Sequence, residues 1–218
     1  MKLRLLVVIP VIAALSACSL FDFSRSKVTV DEIQNPYISL FNGSNLDGWV
    51  IMGKSEGWSV VDGVIHSDGG KGGNWLRSQK EYENFSLVLE YKVSTGGNGG
   101  VFIRCAEQGD PSASGYECQI SNEQPPVDEL HCTGSLYGVV KADPRPDEAP
   151  DQWHTYEILC KNQRILVRVD GKKTVDVNQG DVDAIANKSV KGYIGLQDSH
   201  TGEGFSIEYR NIRIRELK

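Results

Sequence analysis

Gly96-Gly-Asn-Gly-Gly-Val-Phe-Ile-Arg-Cys-Ala-Glu-Gln-Gly-Asp-Pro-Ser-Ala-Ser-Gly-Tyr-Glu-Cys-Gln-Ile120 reads as a glycine-rich turn, an apolar strand ending in Arg104, a polar loop and a second strand carrying Glu117 and Gln119. Strand side chains alternate between two faces. Strict alternation therefore puts Phe102 and Arg104 on one face, with Val101, Ile103 and Cys105 on the other. In the second strand Glu117 and Gln119 share a face, opposite Tyr116, Cys118 and Ile120. If the apolar sets face a core, Arg104, Glu117 and Gln119 converge on the opposite surface of one sheet. A cation, a carboxylate and an amide beside an aromatic suit a neutral, hydroxyl-rich ligand. The competing reading is an Arg–Glu cross-strand pair on a solvated face.

The flanking sequence repeats the strand signal. Trp58-Ser-Val-Val-Asp-Gly-Val-Ile-His66 is a hairpin pattern with Asp62-Gly63 at its turn. Phe85–Val93, 153–160, 164–171, 173–177, 191–198 and 205–217 alternate or carry β-branched runs between turn residues. The stretch 182–188 is expected to form a short helical turn, and no segment sustains a helical period. About a dozen short strands of this kind predict an all-β sandwich. Phe41, Trp49, Trp58 and Trp153 are expected in the core, and His66, His131 and His154 on the surface. The glycine-rich loop 67–74 lacks the Lys-Ser/Thr ending of a phosphate loop, which argues against a nucleotide.

The chain has 218 residues, 39% hydrophobic and 24% charged, which fits one globular domain behind a leader. Its net charge of −6 and lack of a basic cluster disfavour nucleic acid. Lys2 and Arg4, the apolar run Leu5–Leu15 and Leu15-Ser16-Ala17-Cys18 resemble a bacterial lipoprotein signal, cleaved so that Cys18 carries the lipid. The alternative is an ordinary signal peptide or a terminal helix. Residues 19–37 read as a tether and 38–218 as the domain. Ser19 after the cysteine, by analogy with lipoprotein sorting, points to an envelope protein anchored in the outer membrane. Cys105, Cys118, Cys132 and Cys160 are then an even set in an exported domain, and at least one disulfide is expected. Cys105–Cys118 and Cys118–Cys132 are equally plausible pairs.

Seven motifs in order resemble one family. They are Leu40-Phe-Asn-Gly with Leu46-x-Gly-Trp49, Trp58-x-Val-x-Asp-Gly-Val-Ile65, Gly97-Asn-x-Gly-Val-Phe-x-Arg104, Gly115-Tyr-Glu-x-Gln-Ile120, Thr133-Gly-Ser-Leu-Tyr-Gly138, Gly195-Leu-Gln-Asp198 and Arg210-Asn-Ile-Arg-Ile214. Over about residues 38 to 217 the chain is similar to the 3-keto-disaccharide hydrolase family, long known only as a domain of unknown function. The resemblance implies a concanavalin A-like jelly roll, a β-sandwich of two antiparallel sheets with a concave sugar-binding face. It implies an enzyme on 3-keto-glycosides, which cleaves them or hydrates the derived enone. The C3 carbonyl acidifies the C2 proton, a base removes it, and the enolate expels the C1 substituent.

On that resemblance Glu117 is the expected base, Arg104 the enolate stabiliser, and Asp198 or His200 a second acid–base group. Asn98, Gln119 and Tyr137 are expected to hold hydroxyls, and Trp75 to stack on a sugar ring. A divalent metal at these oxygen and imidazole groups is neither demanded nor excluded. The chain departs from the family pattern at Gly99, where many members carry Ser, and in Ser199-His200-Thr-Gly-Glu-Gly, longer than the usual link after the Asp. A non-catalytic carbohydrate-binding lipoprotein is the competing function, since the same fold serves lectins.

Overall fold

The computed structural model describes residues 35–72 and 74–218. The expected leader with Cys18, and the expected tether as far as residue 34, lie outside the described residues. Thirteen strands and one short helix form the described domain: β1 (Ile38–Ser39), β2 (Trp49–Ile51), β3 (Trp58–Val61), β4 (Val64–Asp68), β5 (Trp75–Tyr82), β6 (Phe85–Val93), β7 (Asn98–Cys105), α1 (Pro111–Ser114), β8 (Tyr116–Ser121), β9 (His154–Lys161), β10 (Arg164–Val169), β11 (Lys172–Asn178), β12 (Gly192–Gln197) and β13 (Ser206–Glu216). Eight strands make one sheet in the order β11-β10-β9-β6-β13-β4-β3, with β1 added to β13. The other sheet is β2-β5-β12-β7-β8. Every pairing is antiparallel, the arrangement of a jelly-roll sandwich.

Local chemistry accounts for these elements. Asp62 and Gly63 take φ of 51° and 77°, the left-handed pair that joins β3 to β4 with matching twist. In β6, Phe85, Leu87, Leu89, Tyr91 and Val93 point inward and the residues between them outward. They meet Val101, Ile103, Cys118, Ile120, Ile194 and Leu196 of the other sheet in one apolar core. Each such side chain contributes about 1.5–3 kcal/mol on burial. The 182–188 segment forms turns, with Ile185 N–H on Val182 O and Lys188 N–H on Ile185 O.

Two expectations fail for reasons of strand parity. Trp153 just precedes β9, whose His154, Tyr156, Ile158 and Cys160 point inward. Its ring therefore stays outside, half-buried, with the Arg210 guanidinium 3.9 Å and Lys92 5.1 Å from its centre. His154, expected on the surface, is buried and stacked on Tyr91 at 5.4 Å. Its nitrogens bond Asp170 Oδ2 (2.8 Å) and Ala149 O (2.9 Å).

Burial pulls the His154 pKa down, but the bonds to Asp170 and Ala149 outweigh it and hold the pKa above 6.5. The folded value is raised, so the stabilisation is full below about pH 6.5 and is lost as pH rises through the folded pKa. Thermal unfolding from about pH 5 to 9 should show this loss. Asp170→Asn should flatten it, and an unchanged profile in that variant would refute the assignment.

The four cysteines of the domain are free thiols, contrary to the expected disulfide. Cys118 and Cys160 lie in the inter-sheet core, whereas Cys105 packs on the outer face against Trp75 and Phe102. Cys118 lies opposite Val101, four residues along β7 from Cys105, so the register keeps these two thiols apart.

Candidate active site

The outer face of the five-stranded sheet is set by register. Phe102 lies opposite Glu117, and Gly100 opposite Gln119. Gly195 lies opposite both Phe102 and Arg77. Arg77, Gly195, Phe102 and Glu117 thus form one row across β5, β12, β7 and β8, about 14 Å end to end at ordinary strand spacing. Two glycines shape this row. A Cβ on Gly195 would come 2.5 Å from the Trp75 ring, and one on Gly100 would come 3.1 Å from Glu117 Oε1. Both lie under a functional side chain.

Alternation breaks at Arg104. Two steps along β12, from Tyr193 to Gly195, face three along β7, from Cys105 to Phe102, so β7 holds one extra residue. Arg104 takes φ of 56° there and turns inward behind Ile103. It is 1% exposed, and its Nη2 donates to Glu83 O (3.1 Å) and Asn162 O (2.7 Å), in the turns after β5 and β9. Tyr116 and Cys160, both on the core side, feel its charge. Arg104 therefore does not join Glu117, and the expected enolate-stabilising role has no geometric basis.

Glu117 and Gln119 do share the outer face, with Asn98 beside them. Glu117 is 8% exposed, and burial pushes its carboxyl pKa up to about 7. The charge of Asp110 adds to that rise, and a hydrogen bond from Gln197 opposes it. Asn98 Nδ2 donates to Glu123 Oε2 at 2.7 Å, while its Oδ1 faces the fully buried Gln119 amide at 3.1 Å. Trp75 meets Phe102 edge-on at 5.7 Å and is 5% exposed, so it forms part of the wall.

Asp198 Oδ2 accepts from Asn74 N (2.8 Å), tying the end of β12 to the glycine-rich loop. His200 anchors through its backbone N–H on Asn98 O (3.2 Å) and leaves its ring at the exposed rim. Desolvation lowers the His200 pKa, partly opposed by Glu123. Tyr137 donates its backbone N–H to Glu117 O (2.9 Å), and its exposed ring meets His131 at 4.8 Å. Among the described residues, no three His, Cys, Asp or Glu side chains gather as a metal-holding group.

Three residues on or beside this face have no role expected from sequence. Arg77 is buried on the same face, its guanidinium 4.2 Å above the Tyr193 ring and 3.7 Å from Glu107. The alternation Trp75-Leu76-Arg77 marks it, as Gly195-Leu196-Gln197 marks Gln197. Lys188 lines a small pocket with Glu117 and Tyr137. Its Nζ bonds the carbonyls of Ser112 (3.0 Å) and Gly115. Nothing in its local sequence announces that role.

Residues 36–215 match the family model described as the 3-keto-alpha-glucoside-1,2-lyase-like domain. The chain belongs to this family. A 3-keto-disaccharide hydrolase of Bacteroides thetaiotaomicron is 24% identical to this chain over 250 residues, spanning 89% of this chain and 84% of the relative. A Parabacteroides distasonis protein solved as a candidate glycosyl hydrolase superposes with TM-score 0.74 at 28% identity, covering 84% of this chain and all of that one. A Bacillus licheniformis β-glucanase shares the fold, with TM-score 0.52 at 15% identity over 84% of this chain and 98% of its own. In this domain Gln119, Asn98 and Gln197 are the polar groups assembled around one buried carboxyl, that of Glu117.

Proposed function

We propose that the domain is a carbohydrate-active enzyme that cleaves glycosides oxidised at C3, with Glu117 as the proton-transferring group. The family match and the name of the Bacteroides relative support the substrate class. The observation that carries the reading is a carboxyl buried on the sheet's outer face with its pKa near 7, where both protonation states are accessible at neutral pH.

In this scheme ionised Glu117 takes the C2 proton, and the C2 electrons move into the enolate of the C3 carbonyl. As the enolate collapses, the C1–O bond breaks and a protonated acid supplies a proton to the leaving oxygen, giving an alcohol and an enone. Water then adds at C1 and a proton returns to C2, so the net change is hydrolysis. Lys188 takes the stabilising role that Arg104 cannot fill. Two of its three N–H donors are used on carbonyls, leaving one for the enolate oxygen. His200, at the rim, is the second acid–base group. Anchoring in the bacterial envelope through Cys18 is part of this proposal and rests on the leader sequence.

The test pairs a chromogenic 3-keto-α-glucoside with its unoxidised parent, in D2O. Chromophore release from the keto substrate alone, with deuterium appearing at C2, is the expected result. Equal release from both substrates, or release without exchange at C2, would overturn it.

A further inference from the structure

Two amides separate Glu117 from a second carboxyl. The chain runs from Glu117 Oε1 to the Gln119 amide (3.1 Å), on to Asn98 Oδ1 (3.1 Å), and from Asn98 Nδ2 to Glu123 Oε2 (2.7 Å). Ser121 Oγ also donates to Glu123, at 3.3 Å. Gln119 is fully buried and Asn98 is 5% exposed, so neither has bulk water to turn to.

Each amide has one donating and one accepting end, which makes the chain directional. With Glu123 ionised, Asn98 points its nitrogen at Glu123 and its oxygen at Gln119. Gln119 then donates to Asn98, and its own oxygen faces two acceptors, Gly99 O and Glu117 Oε1, of which only Glu117 can take up a proton. The contact with Glu117 is satisfied only by that proton. With both amides reversed, Gln119 donates to Glu117 and to Gly99 O, each at 3.1 Å, while Asn98 donates to Gln119. Asn98 oxygen then faces Glu123, which must carry the proton instead.

We propose that Glu123 is a positioning residue that sets the protonation of Glu117 through the Asn98–Gln119 amide pair, so that the two carboxyls compete for one proton. An ionised Glu123 favours the protonated, acid form of Glu117. Reversal of the pair accompanies loss of that proton. The inference rests on the acid–base role given to Glu117 above, but its test needs no substrate. Other groups facing Glu117 are Asp110, Gln197, Lys188, the Cys105 thiol and the Tyr209 phenol. Glu123 faces His200 and shares a cleft of about 210 Å³ with Arg145 and Glu148. Gln197 bonds Glu117 directly and the charged groups act through space, neither route passing through the Asn98 side chain.

The distinguishing measurement is a double-mutant cycle on the Glu117 pKa, read by carboxyl NMR in the free protein. Glu123→Gln, which can donate to Asn98 as well as accept, should lower the pKa by about one unit, the scale of one hydrogen bond to a charged group. In an Asn98→Ala background the same substitution should have almost no effect. Equal shifts in both backgrounds would mean a through-space charge effect and overturn the proposal, as would no shift in either. If Asn98→Ala does not fold, the wild-type protein decides. The Gln119 side-chain NH2 resonances should move with the Glu117 midpoint, and resonances flat through that midpoint would overturn the coupling. Coupling without turnover of any keto-glycoside would leave this inference standing and refute the proposed function.

Discussion

Glu117→Gln is expected to lower turnover of a 3-keto-glycoside by about 10³-fold, within the range contributed by a positioned general base. Glutamine keeps the size and the contact with Gln119 but cannot take a proton. In the wild type, kcat/KM should rise with pH through a midpoint near 7, because the ionised carboxylate is the active form. The same substitution should stabilise the fold. The folded pKa lies above the ordinary value of 4.5, so the unfolded chain releases this proton first and the native state loses stability between pH 4.5 and about 7. Above that window the buried charge costs roughly 2–3 kcal/mol, discounted for local relaxation. Glutamine removes the cost. Thermal unfolding at about pH 8 should show the variant melting higher than the wild type, while the two should nearly coincide at about pH 4. A variant that is inactive and less stable at pH 8 would contradict a desolvated carboxylate.

Arg104→Ala separates the structural role of that residue from the catalytic role expected from sequence. The substitution leaves Glu83 O and Asn162 O without their donor and opens a cavity between the sheets. Stability should fall by about 2–4 kcal/mol. Arg104 Nε and Nη1 have no hydrogen-bond partner, so removal of a poorly compensated buried charge offsets part of the loss. Arg104→Met should recover the volume and lie between the two. Turnover per folded molecule and the pH midpoint should stay within a few-fold of wild type in both variants. A loss of kcat comparable to that in Glu117→Gln, in protein shown to be folded, would return Arg104 to the reaction.

The sandwich was legible because alternation and turn chemistry agree along most of the chain. Asp62-Gly63 marks a hairpin, Phe85–Val93 alternates without a break, and the motif series supplies the family. Glu117 and Gln119 were readable for the same reason, since β8 has no irregularity. Arg104 and Cys105 were not. A bulge leaves no mark in composition, and one extra residue reverses the face of everything counted past it. The expected disulfide fails separately: neither Cys105–Cys118 nor Cys118–Cys132 forms, and the first is excluded by a register that sets Cys118 opposite Val101. Trp153 and His154 were exchanged between core and surface by the start position of β9, which propensity fixes only within a few residues. Lys188 lines the pocket beside Glu117 from a turn far away in sequence, and strand counting cannot find it.

The inward turn of Arg104 also bears on the chemical environment the domain tolerates. Its guanidinium cross-links one sheet to the turns at the end of the sandwich by hydrogen bonds, a tie with no oxidation state. The four thiols stay apart, each buried. The described domain therefore carries no redox requirement: with its thiols free, it needs no oxidant to form a crosslink and has no disulfide for a reductant to break.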